Sequence, residues 1–443
     1  MDRRRFLSMC IKGGVSAAAL TSTQLQAMQN LLNQQNYTDY KAMVCIFLLG
    51  GNDSMNMLIP LSGDEKADYL ASRQNLAIES PLPLSPVSQL PDTGLNPALA
   101  ALQSLFEQGD FAFIAGVGTL RAPTSLSDYQ NKRSHIPAHL FSHNDQQGRW
   151  MHGQEKQSLN TGWGARMLEL LEAAPGFASN ISLAGTNPWQ RGHSTSAFAM
   201  SRSGQAKIHP LTGTSTRAQQ FDAAISRMLR QQAHPLANSY SQGLSKGIAQ
   251  SQAMNASLEG LAPLPGFSDM PLSQQLHTIA KVIASQSQQG GGRQIFYATM
   301  GGFDTHDEQV TKHPELLSTL ATSMSEFHRA MDSLGVSQQV TSFTMSDFGR
   351  TLSSNGDGTD HGWAGNQMVM GGAVKGGDIY GQLLPQRLGS EFDVKGGRLI
   401  PQVSTDQYSA TLAKWFGLSD GQLLDLFPSL SAFNDLYLPM MRS

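Results

Sequence analysis

The sequence predicts an α/β fold, a three-layer sandwich around a mostly parallel central sheet, held in one domain with a polar insertion. Short apolar runs closed by glycine alternate with longer amphipathic stretches along the chain. That is the rhythm of strands buried on both faces and joined by crossover helices. Four Asp- or Asp/His-bearing segments also follow such runs, and the carboxyl ends of parallel strands open on a single edge.

The chain begins Met1-Asp2-Arg3-Arg4-Arg5-Phe6-Leu7, followed by the Gly/Ala-rich Gly13 to Leu20. Consecutive arginines before Phe-Leu and a small-residue core resemble a twin-arginine export signal, a receptor-read address that is excluded from the fold. Residues 1–35 are thus expected to be signal and flexible lead, with the mature protein starting between 25 and 42 and the domain covering 43–443. Lys12 interrupts the apolar segment, and no stretch reaches the roughly 20 apolar residues of a stable membrane span. The expected location is periplasmic or secreted, with the twin-arginine translocase as export partner. Of the two cysteines, Cys10 leaves with the signal and Cys45 sits inside an apolar run. No disulfide framework is therefore expected, consistent with folding before translocation.

Within the domain, Met43 to Leu49 reads as the first strand, closed by Gly50-Gly51. A helical stretch through Leu99, Leu102 and Leu105 precedes the strand-like Phe111 to Val117, which implies parallel strands. Leu272, Leu276, Ile279, Val282 and Ile283 form one helical face, and Gln294 to Met300 reads as the next strand. Leu316 to Leu334 is helical, with Gly335 as its C-terminal cap, and Val340 to Met345 is a strand. Gln367 to Met370 adds another short strand, and Tyr408, Leu412, Trp415 and Phe416 mark a final helix before Gly417. Residues 186–270 differ in being rich in Ser, Gln, Ala and Gly, with one helix at 218–232. They are expected to form an insertion or lid, with a separate small domain as the alternative.

The 31 basic and 34 acidic residues give a balance that predicts no polyanion-binding surface, and nucleic acid is excluded as a partner. Chemistry is concentrated instead at the strand ends. Asp53 follows the double glycine, where Asn-Asp is also ordinary turn chemistry. In Gly301-Gly302-Phe303-Asp304-Thr305-His306, the Asp and His two residues apart face the same way on extended backbone and suit one ion. The rival role for Asp304 or Thr305 is to cap the following helix. Asp347 ends a strand three residues before Arg350, which either meets an anionic substrate group or neutralises Asp347. Asp360-His361 lies in a Gly/Asn/Asp-rich loop too polar for core. Ser142, beside His143 and near His135 and His139, is a hydroxyl nucleophile candidate, with Ser54 the weaker one; either could cap a helix instead. Oxygen and imidazole ligands of this kind suit one or two divalent ions, with Zn, Mn, Mg and Ca undistinguished.

The motifs Gly-Gly-Asn-Asp-Ser-Met-Asn from Gly50, Ser142-His143, Thr161-Gly162-Trp163-Gly164, Gly-Gly-Phe-Asp-Thr-His, Ser-Asp-Phe-Gly-Arg-Thr and Thr-Asp-His-Gly resemble the exported bacterial family known as domain of unknown function 1501. That family is a distant relative of alkaline phosphatases, sulfatases and cofactor-independent phosphoglycerate mutases. The resemblance runs from Met43 to the C-terminus and implies an alkaline-phosphatase-like fold. It also implies a hydrolase of phosphate or sulfate esters, on a small-molecule or glycan substrate, in which Asp53, Asp304, His306, Asp347 and His361 bind metal around a Ser or Thr nucleophile. Arg350 would then steady transferred negative charge. Two departures stand out. The Asp304-to-His306 spacing is shorter than the usual one, and Phe348 stands where an Asp-His pair places its histidine, unless Asp360-His361 is that pair and a final histidine is missing. The alternative is a non-catalytic envelope module that keeps the fold and a metal site.

Overall fold

The computed structural model describes residues 39–89, 92–153, 160–171, 177–204, 214–229, 234–259, 261–287 and 292–442. The expected signal at 1–35 lies outside them, as do parts of the expected insertion. Among the described residues no helix is long and apolar enough to cross a membrane.

The elements that build the site are, in chain order, β1 (Tyr40–Leu48), α1 (Gly63–Arg73), α2 (Ala100–Gln108), β2 (Phe111–Gly118), α3 (His143–His152), α4 (Trp163–Leu171), β3 (Asn180–Ser182) and β4 (Phe198–Ala199). They continue with α5 (Thr216–Met228), α6 (Pro235–Leu258), α7 (Pro271–Ser287), β5 (Gly292–Met300), α8 (Gln309–Ser333), β6 (Val340–Ser346), β7 (Arg350–Ser354), β8 (Thr359–His361), β9 (Gly365–Met370), β10 (Ile379–Gly381), β11 (Val403–Ser404) and α9 (Thr405–Phe416). The main sheet runs β10-β2-β9-β6-β1-β5-β3-β4, with β11 also paired to β2. β1 lies at its centre, parallel to β5 on one side and to β6 on the other. Only β9 among these described strands runs the other way, antiparallel to both β2 and β6. The fold is therefore α/β with a mixed, mostly parallel sheet. β1 and β2 point the same way, as expected from strand-helix-strand, but β9 and β6 stand between them.

Side chains alternate along a strand, and β1 sorts the core into two layers accordingly. Ala42, Val44, Ile46 and Leu48 face a cluster containing Leu102 of α2, Ile279 of α7 and Leu320 of α8. Met43, Cys45 and Phe47 face another containing Trp163 and Met167 of α4 and Tyr408 and Phe416 of α9. Cys45 is a fully buried core residue. Every β1 residue from Ala42 to Leu48 is essentially inaccessible, which explains why its sequence is continuously apolar and not alternating. α8 starts seven residues earlier than the apolar pattern shows and Gly335 follows its end at φ 70°, the left-handed conformation that stops helices. The polar segment from 186 is not wholly separate from the sheet. Phe198–Ala199 pairs in parallel with β3 at its edge before α5 and α6.

Candidate metal centre

The centre is assembled where β1, β5 and β6 end together. Gly50 has φ 116°, and a Cβ there would lie 2.3 Å from the Asp304 backbone nitrogen. Only glycine lets the Gly302–Asp304 segment pass so close. The Ser346 hydroxyl donates to Leu48 O and accepts from Asn52 N–H, both at 2.9 Å, tying the end of β6 to the end of β1. The ribbon β7–β8 then folds over the β5 end, with Arg350 opposite His361. Thr359 N–H donates to Thr305 O and Asn355 Nδ2 to His306 O. The following helix is preceded by Glu308 in left-handed conformation, so neither Asp304 nor Thr305 caps it.

Asp304 and the imidazoles of His143, His306 and His361 meet at this edge. His306 Nε2 lies 3.1 Å and His361 Nε2 3.4 Å from Asp304 Oδ1, and His143 Nε2 lies 3.5 Å from Asp304 Oδ2. His306 Nε2 and His361 Nε2 are 2.9 Å apart. The other nitrogen of each ring faces an acceptor. His143 Nδ1–H donates to Asp347 Oδ2 at 2.6 Å, His361 Nδ1–H donates to Phe141 O at 2.8 Å, and His306 Nδ1 is 3.5 Å from Asp360 Oδ1. With the Nδ1 proton held on the far side, His143 and His361 each turn an Nε2 lone pair toward the cluster. Four donors about 2.1 Å from a tetrahedral ion stand roughly 3.3 Å from one another. The separations of Asp304 from the three rings, 3.1–3.5 Å, are close to that spacing, and His143, Asp304 and His361 form a triad whose ligand atoms lie within 4.8 Å of one another, able to hold a metal ion.

Electrostatics point the same way. Partial burial pushes the Asp304 carboxyl up, but the Arg350 guanidinium, with His143 and His306, outweighs it and holds the group below the usual carboxylate range. Burial pushes the His361 imidazole down, toward the neutral form that ligates. Phe348 packs beneath, its ring centroid 4.8 Å from that of His143 and 4.5 Å from that of His361. It is an apolar floor at the position where the resemblance implies a histidine.

The other expected site residues have partners of their own. Asp347 Oδ2 accepts from His143 Nδ1, Gln147 Nε2 and Gly50 N–H, so it orients His143, while its buried Oδ1 has no hydrogen-bond partner among the described residues. Asp53 is fully buried and ion-paired with Arg73, and Gln309 Nε2 donates to the same carboxylate. Arg350 is buried and committed to the fold. It donates to Gly50 O, Asp304 Oδ1, Thr359 O and Thr359 Oγ1, so it neutralises Asp304 and not Asp347, with little left for a substrate. The Ser54 hydroxyl is buried and accepts from Asn366 N–H at 2.7 Å. Ser142 is the residue before α3, and its Oγ donates to Asp145 Oδ2 at 2.6 Å. Both serine hydroxyls are engaged by these bonds. His143 stands out in the sequence only as the neighbour of Ser142, yet it is the first residue of α3 and carries one nitrogen of the triad.

A family model described as protein of unknown function (DUF1501) matches residues 40–390. The chain belongs to the DUF1501 family. Among solved structures, this DUF1501 chain is similar to a 2-O GAG sulfatase, at 8% identity over 86% of this chain and 71% of that one, with a TM-score of 0.33. It is also similar to Ps i-CgsB in complex with k-i-k-neocarrahexaose, at 11% identity over 90% and 78% of the two chains, with a TM-score of 0.32. No curated protein matches it.

Proposed function

We propose that this DUF1501 protein holds one divalent cation on His143, Asp304 and His361, with His306 as fourth ligand, and uses it to hydrolyse a phosphate or sulfate ester. The observation that supports this reading is the set of converging Nε2 atoms whose Nδ1 partners are already in place. A nitrogen-rich set of this kind favours Zn over Mg or Ca. An ion bound there would supply Lewis-acid polarisation of an ester oxygen and a lowered pKa for water. The chain's own residues prepare the place: Asp347 fixes the His143 tautomer, Arg350 keeps Asp304 ionised, and Phe348 closes the floor. Asp53 is ion-paired with Arg73 and stands outside the His143–Asp304–His361 triad, which favours one ion over two.

A second reading, a non-catalytic envelope module with a stabilising metal, is favoured by the engagement of both serine hydroxyls away from the cluster. Metal analysis of protein purified without chelator separates the readings. About one Zn per chain, a Zn-dependent rise in Tm and loss of both in His143→Ala and His361→Ala support the centre. Metal-dependent turnover on a panel of phosphate and sulfate esters then supports the hydrolase, and metal without turnover supports the module. No metal and no Tm response would sink both. Export through the twin-arginine translocase belongs to the same proposal. Replacing Arg3, Arg4 and Arg5 by Lys is expected to leave the protein in the cytoplasmic fraction.

A further inference from the structure

One cleft opens at the cluster, and a second adjoins it at Tyr129 and Phe141, which line both. The smaller, about 360 Å³, is lined by His306, Asp360 and His361 together with Lys395 and Arg398. The larger, about 650 Å³, sets Lys132 and Arg133 beside Ile136 and Leu140, with no carboxylate among its described lining residues. The shared residues fix the order along the groove: metal cluster with Lys395 and Arg398, then Tyr129 and Phe141, then Lys132 and Arg133.

Arg398 belongs to the wall. Its Nε donates to His361 O at 2.9 Å, its Nη1 to Lys395 O at 3.2 Å, and its guanidinium lies 5.4 Å from the Phe141 ring centre. Lys395 and Lys132 are exposed, and neither ammonium has a hydrogen bond or ion pair among the described residues. On a chain with net charge −3, Arg398 and Arg133 stand 3.9 Å from Asp360 and Asp128, so the uncompensated positive charge along the groove is that of the Lys395 and Lys132 ammonium groups. Cleft walls of low dielectric focus such a field on an incoming anion. Between the two charged ends the lining is apolar and aromatic, which suits the body of an organic molecule.

We infer that the joined clefts are one binding groove for an elongated small molecule with an anionic group at each end, one held by Lys395 beside the cluster and the other by Lys132. The inference rests on the metal-centre reading only in making the Lys395 end the reacting end. A small molecule fits better than a polymer, since the cations form two separate pairs and not a continuous stripe.

The probe is a naphthalene disulfonate, titrated calorimetrically into the full chain beside naphthalene monosulfonate and a sulfated polysaccharide. The disulfonate is expected to bind with one-to-one stoichiometry and about tenfold more tightly than the monosulfonate, the affinity falling with salt. Lys395→Ala and Lys132→Ala should each weaken it about tenfold. Lys414→Ala, whose ammonium is held by Asp420 outside the groove, should not change it. Equal affinity for the two sulfonates, or equal affinity of the three variants, would overturn the groove. So would tight polysaccharide binding that Lys132→Ala leaves unmoved. Metal content measured on the same samples keeps the two readings apart: a wild-type chain without metal that still binds the disulfonate removes the centre and leaves the groove.

Discussion

Arg73→Met tests whether Asp53 is part of a metal centre or part of the fold. Both side chains are completely buried, and the guanidinium pairs with Asp53 while its Nη1 donates to Thr351 O and Leu352 O. Asp53 Oδ1 already has no hydrogen-bond partner among the described residues, so removing Arg73 leaves the carboxylate with Gln309 alone. Breaking a buried pair from one side costs about 3–5 kcal/mol. With an unfolding entropy of about 2.1 cal/mol/K per residue over roughly 400 residues, that lowers Tm by about 4–6 °C. Adding Asp53→Asn removes the stranded charge, so the double variant should be less destabilised than the sum of the singles by about 2 kcal/mol or more. Chemical denaturation of the four proteins measures this coupling, and metal analysis of Asp53→Asn measures the rest. The reasoning predicts full metal content in Asp53→Asn. Strictly additive destabilisation, or a loss of metal in that variant, would refute it.

Three further outcomes follow from the same region. Asp347→Asn, which weakens the acceptor holding His143 Nδ1–H, should lower metal affinity about 10–100-fold in a competition titration while the protein stays folded. His313 is buried against Asn52 Oδ1, and burial pushes its imidazole down to about 4 from 6.5. As the unfolded chain takes up the proton first, the native state is at full strength above about pH 6.5 and loses about 3 kcal/mol as pH falls toward 4; His313→Gln should flatten that part of the pH profile of denaturation. At Gly349 an added Cβ would lie 1.9 Å from the Ala364 carbonyl oxygen, so Gly349→Ala should cost about 4 kcal/mol, read as a drop in Tm or in soluble yield.

The central layer was legible because burial on both faces leaves a strong mark on a sequence. β1 and β2 carry unbroken apolar runs, β5 a shorter one from Ile295 to Ala298, and β6 sets Thr and Ser among Val340, Phe343 and Met345; their parallel direction follows from the helices between them. The position of β9 was not legible. Its run Gln367 to Met370 is as apolar as a parallel strand, and nothing local records that it lies antiparallel between β2 and β6. The start of α8 was also hidden, because its first turn, from Gln309 through Lys312, faces the ribbon and solvent and carries no apolar stripe.

At the site, the sequence placed the candidate chemistry at one edge of the sheet but could not tell a residue that faces the cluster from one that supports it. Asp304 and Asp347 both end strands, and what separates them is the histidine each meets in space. Asp347 meets the Nδ1 side of His143 and becomes an orienting acceptor, whereas Asp304 meets the Nε2 side and joins the donor set. His143 comes from a helix some 160 residues upstream of Asp304, so no spacing rule connects the two. Asp53 is the sharpest case. Its motif gives no hint of Arg73, the last residue of α1, which turns a candidate ligand into half of a buried ion pair. A motif names residues that could bind a cation, but the cation that answers Asp53 is supplied by the chain itself. The same is true in part of Asp304, which shares Arg350 with the fold while still facing three imidazoles. One guanidinium on each carboxylate divides them: Asp53 is sealed with its arginine at zero exposure, and Asp304 is left half open to an ion.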